Sequence, residues 1–61
     1  MLRMLELTGS SPIGYSEAAA TVIQKLMEAG ENVHFFKVEE MRGSVRNGKI
    51  EFQVVIKVAL E

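Results

Sequence analysis

Sixty-one residues make one small domain, and a chain this short buries only about 60% of the surface its unfolded form exposes, so its stability needs reinforcement. No cysteine and a single histidine exclude disulfides and Cys/His zinc sites, and seven Lys+Arg against eight Asp+Glu, a formal net charge of −1, exclude the basic field of a nucleic-acid binder. The composition is 48% hydrophobic, more than one tiny core needs, which makes oligomerisation the expected reinforcement. No apolar run approaches the roughly 20 residues that span a bilayer, and the amino terminus lacks a signal-peptide core, so a cytoplasmic, membrane-free protein is expected.

Met1–Thr8 reads as a first strand, with Leu2, Met4 and Glu6 on one side and Arg3, Leu5 and Leu7 on the other. Gly9–Gly14 is a turn segment by its local composition. Ser11 is a candidate helix cap with Pro12 at the first helical position, and a start nearer Ser16 is the alternative. The spacing matches neither a Walker loop nor a dinucleotide loop, which favours a plain strand-to-helix turn.

Tyr15–Ala29 is the one helix. Tyr15, Ala18, Ala19, Val22, Leu26 and Ala29 follow the i, i+3/i+4 rhythm, flanked by Ile23 and Met27, while Glu17, Thr21, Gln24, Lys25 and Glu28 make the polar side. Gly30, before Glu31 and Asn32, is the natural stop. Val33–Arg46 reads as a second strand, and Asn47-Gly48 is a two-residue hairpin signal, because both central residues of a type I′ turn need positive φ. In the final stretch Ile50, Phe52, Val54, Ile56, Val58 and Leu60 alternate with Glu51, Gln53, Val55, Lys57, Ala59 and Glu61. That period-two pattern marks a strand with one buried face. A long hairpin with an apolar face cannot stand alone in water, and the helix supplies the cover. The fold class is therefore α+β, with one helix on the apolar face of a three-stranded antiparallel sheet. The opposite face, with Glu51, Gln53, Val55, Lys57 and Ala59, has the mixed character of a subunit interface or a ligand-bearing surface.

Little here supports catalysis. His34 has no acidic or nucleophilic partner at a recognisable spacing, Glu39 and Glu40 point to opposite faces of a strand, and no serine sits in a nucleophile elbow. The chain reads as a non-enzyme. Phe35 and Phe36 are adjacent on a strand, so one faces the helix and the other faces away, placed either for an interface or to stack on a flat ligand. Gln53, on the outward face of the last strand, offers two donors and an acceptor to the edge of a pyrimidine-like ring, or serves as a plain surface amide. Arg42 is placed to meet a phosphate, or Glu51 across the hairpin.

Leu5-Glu6-Leu7-Thr8-Gly9-Ser10-Ser11-Pro12, the Ala-rich helix, Phe36-Lys37-Val38, Met41-Arg42-Gly43 and Phe52–Val58 together resemble the dodecins. The resemblance covers essentially the whole chain, residues 1–61 as a single dodecin-like domain. It implies a β-α-β-β subunit whose sheet wraps one helix, assembled into a hollow homododecamer. It also implies a bound flavin, riboflavin or its phosphorylated form FMN, held for storage or buffering near threefold axes. The family's flavin stacks on a tryptophan and bonds a glutamine: Gln53 matches the glutamine, and the tryptophan position falls on Phe35 in a chain without tryptophan. Phe is a smaller platform without the indole N–H, so stacking weakens by about 1 kcal/mol. Arg42 is the third residue expected at the ligand. The hairpin is one residue shorter than the family pattern. Simple pairing through Asn47-Gly48 sets Arg42 opposite Gln53, and then Phe36 rather than Phe35 shares their face unless a bulge intervenes. The alternative is a dodecin-like shell without flavin, binding coenzyme A or a metal ion, or purely structural.

Overall fold

The computed structural model describes residues 1–61. Its elements are β1 (Arg3–Ser11), α1 (Tyr15–Glu28), β2 (Val33–Arg46) and β3 (Lys49–Leu60). The three strands form one antiparallel sheet in the order β1-β3-β2. The most regularly alternating strand, β3, thus takes the centre, where both edges are paired and one face meets the helix.

Val54, Ile56, Val58 and Leu60 on β3 are at most 1% exposed. They pack against Ala18 and Ala19 of α1, with Leu7, Val22, Ile23, Leu26 and Val33 at the margin. Ala18 and Ala19 are the smallest residues of the helical stripe, so they set the closest approach of helix to sheet. Tyr15 closes one end of this layer, its ring edge-on to Phe52 at 5.1 Å between centroids.

The end of the first strand and the helix cap differ from the expected ones. Gly9, Ser10 and Ser11 belong to β1, paired with Val54, Gln53 and Phe52, rather than to a turn. Gly9 lies under the helix: a Cβ there meets the carbonyl oxygen of Ala18 and a methyl of Val22. This glycine is required by close backbone approach, not by turn geometry. The helix starts at Tyr15, as expected, but after Gly14 and without a side-chain cap, so Ser11 is not the cap. Its Oγ instead accepts a hydrogen bond from the Ile13 N–H at 3.0 Å, turning the chain between strand and helix.

Other local signals are realised as written. Gly30 takes φ 87°; its N–H bonds the Met27 carbonyl and the Glu31 N–H bonds that of Leu26, a Schellman closure of α1. Asn47 and Gly48 take φ 52° and 75°, the left-handed pair of a type I′ turn. The pairing of β2 with β3 skips between Val33 and Phe35 and again between Val38 and Glu40, leaving His34 and Glu39 as bulge residues.

The helix lies mainly over β1 and β3. The inner side of β2 is left open as an apolar groove of about 480 Å³ between Phe36, Val38 and Met41 and the helix residues Tyr15, Ile23 and Met27.

Candidate functional site

Directly paired residues share a face of a sheet, so the register arranges the outer face in cross-strand rows. Met4, Ala59 and Phe35 form the first row, Glu6, Lys57 and Lys37 the second, Thr8, Val55 and Glu40 the third, and Ser10, Gln53 and Arg42 the fourth. The bulge at Glu39 sets this arrangement. From the hairpin up to Glu40 the pairing is that of the simple turn; beyond Glu39 it is displaced by one residue. Phe36 therefore pairs with Val58 on the core side, and Phe35 pairs with Ala59 on the outer side, the same face as Gln53 and Arg42. A skip in the apolar pattern marks the place, since Phe36 and Val38 are two apart but Val38 and Met41 three.

The structure joins two of the three expected site residues. Arg42 Nε donates to Gln53 Oε1 at 2.9 Å, Gln53 Nε2 donates to Glu51 Oε1 at 3.0 Å, and Arg42 Nη1 lies 3.4 Å from Glu40 Oε1. Arg42 meets Glu40 and the amide rather than pairing directly with Glu51. Glu40 and Glu51 are the residues that sequence reasoning missed; they orient the amide and the guanidinium from the same face, two positions along each strand. With one N–H and one acceptor lone pair committed, Gln53 keeps one of each for a ligand.

Phe35 stands apart. The residue is 53% exposed beside Ala59, which is fully buried although it faces outward, between Met4 and Phe35. The Phe35 row, at Ala59, lies six positions along β3 from the Gln53 row, about 20 Å along the strand. One three-ring ligand does not bridge that span within a single chain. Between them Glu39 lies 3.4 Å from Lys57 Nζ and 4.0 Å from Lys37 Nζ, relieving two lysines that directly oppose each other. His34 meets only Glu61, at 3.5 Å. No group of three or more His, Asp or Glu side chains is gathered to hold a metal, and no helix is long and apolar enough to cross a membrane.

A family model for dodecins matches residues 1–61. The chain belongs to the dodecin family. Dodecins are small, dodecameric-fold proteins of the ligand-binding kind, and the β-α-β-β subunit here is theirs. Among solved structures, a dodecin from Streptomyces davaonensis is 31% identical with a TM-score of 0.88, covering 98% of this chain and 90% of that one. A Thermus thermophilus dodecin carrying a tryptophan-to-phenylalanine substitution is 28% identical at TM-score 0.88, covering 98% and 91%. The calcium dodecin of Mycobacterium tuberculosis, described as calcium chelating with a novel calcium-binding site, shares the fold at TM-score 0.88 with 23% identity over 97% and 86%. Among curated protein sequences none matches.

Proposed function

We propose that the assembled protein binds a flavin, riboflavin or FMN, and holds it in a cytoplasmic storage or buffering role rather than transforming it. The observation that carries this reading is the bulge at Glu39, which turns Phe35, the residue at the family's tryptophan position, onto the same outer face as Gln53 and Arg42. An exposed ring and an amide with free donor and acceptor capacity are what a flat, polar-edged heterocycle requires. Because these groups lie about 20 Å apart along one chain, the site is completed between copies, with Phe35 of one subunit against the flavin face and Gln53 with Arg42 of another at its edge.

The second reading, a shell without flavin, is favoured by one observation: the stacking platform is phenylalanine. An absorbance scan of the purified assembly, with mass spectrometry of any released ligand, separates the two. A yellow band and a released flavin are expected. A colourless protein whose titration with riboflavin leaves the dye's fluorescence unquenched would reject the flavin reading.

A further inference from the structure

The chain carries seven lysines and arginines. Four of them, Arg3, Lys37, Arg42 and Lys57, have a carboxylate within 4.0 Å. Lys25 on the helix, Arg46 and Lys49 have none, yet Arg46 and Lys49 are directly paired with each other across the hairpin, next to the Asn47-Gly48 turn. Like charges directly opposite on a strand pair repel, and no fold requirement places cations at these outward positions. Both line an open polar cleft of about 600 Å³ on the outer face, together with the hydroxyl-bearing Ser10 and Ser44. The one acid of the cleft, Glu51, accepts from the neutral Gln53 amide on one oxygen and forms no ion pair, so it offsets only one of the two cations. Guanidinium, ammonium and hydroxyl donors thus line a space in which two cations face one carboxylate, a net positive donor set of the kind a phosphate dianion takes.

We propose that this hairpin-tip cleft binds the phosphate group of a phosphorylated small ligand. On the flavin reading above, on which this identification of the ligand rests, that group is the phosphate of FMN. Gln53 borders the same cleft. It lies four residues from Lys49, about 13 Å along β3, so a ring edge held at Gln53 directs a phosphorylated tail toward the tip. Arg42, the residue first expected to meet a phosphate, is committed to Glu40 and Gln53. The unpaired cations lie farther along the hairpin.

The test uses the assembled protein and two probes. In a ³¹P NMR titration with inorganic pyrophosphate, the unaltered protein should bind, and the Arg46→Gln/Lys49→Gln double variant should bind at least tenfold more weakly. Both side chains are outside the core, so equal melting temperatures should show that the fold is retained. No pyrophosphate binding, or equal binding by the double variant, overturns the cleft as a phosphate site; neutralisation by a neighbouring subunit's carboxylate would produce that result. In parallel, FMN should bind about tenfold tighter than riboflavin, with the difference lost in the double variant. Equal affinity for the two flavins overturns the assignment to the FMN tail and leaves the flavin reading standing. Pyrophosphate binding without any flavin binding supports the phosphate site, its source then being free phosphate or another phosphorylated ligand, and sinks the flavin reading.

Discussion

At the scale of single residues, the Phe35 ring and the Gln53 amide act on different parts of the proposed ligand, its face and its edge. Phe35→Trp enlarges the stacking platform; a gain of about 1 kcal/mol corresponds to roughly five- to tenfold tighter riboflavin binding, read as fluorescence quenching. Gln53→Leu keeps a similar volume but leaves the flavin's polar edge unpaired, a loss of about 1–3 kcal/mol. It also strands Arg42, whose Nε donates to that amide. Indifference of binding to both Phe35 and Gln53 would remove flavin as the ligand. Gly9 tests the core instead. The Ala18 carbonyl oxygen is backbone and cannot swing aside from a new Cβ, so Gly9→Ala should cost about 1–3 kcal/mol of stability, seen as a lower melting temperature. An unchanged melt would mean that helix and strand are less closely apposed than described.

At the scale of elements, the Glu39 bulge decides which phenylalanine faces the ligand side. Deleting Glu39 removes only the residue without a partner: Val38 stays opposite Ile56 and Phe35 opposite Ala59, over a now regular ladder. Assembly and ligand binding should survive, with a small loss from the direct opposition of Lys37 and Lys57. Deleting Val38 is different in kind. The ladder then sets Glu39 opposite Ile56 in the open apolar groove beside the helix, the surface that assembly is expected to cover, and an unpaired carboxylate there should abolish assembly in light scattering. If both deletions assembled equally well, the bulge would not govern the faces of β2.

The whole molecule is unfinished as a single subunit. It exposes 4391 Å², against about 4,000 Å² from the size scaling of ordinary folded monomers of 6.8 kDa. Phe36, Val38 and Met41 stand open beside the helix, and Val45 and Ile50 stand open on the same face nearer the hairpin tip. These are apolar groups on the core side of a sheet that the one helix does not reach. Light scattering under native conditions should therefore show a closed assembly of twelve subunits and no folded monomer, and Met41→Glu, an acid in the open groove, should disrupt it. A folded species at monomer mass would contradict the assembly.

Much of this was determined by sequence alone, where the deciding interactions are local. The type I′ turn at Asn47-Gly48, the glycine stop at Gly30 and the buried face of β3 each follow from backbone sterics or from a period-two pattern within one segment. The assignment of Gly9–Ser11 failed for a related reason. Glycine and serine look alike in a turn and beneath a helix, and only the position of Ala18 and Val22 tells them apart. Tertiary structure alone decided which strand took the centre, where the register slipped, and what met Arg42. The displacement at Glu39 depends on Phe36 and Val38 finding Val58 and Ile56, partners some twenty residues away. The separation of Phe35 from Gln53 depends on how far along β3 each residue pairs. Long-range pairing sets both quantities, and no local propensity encodes it.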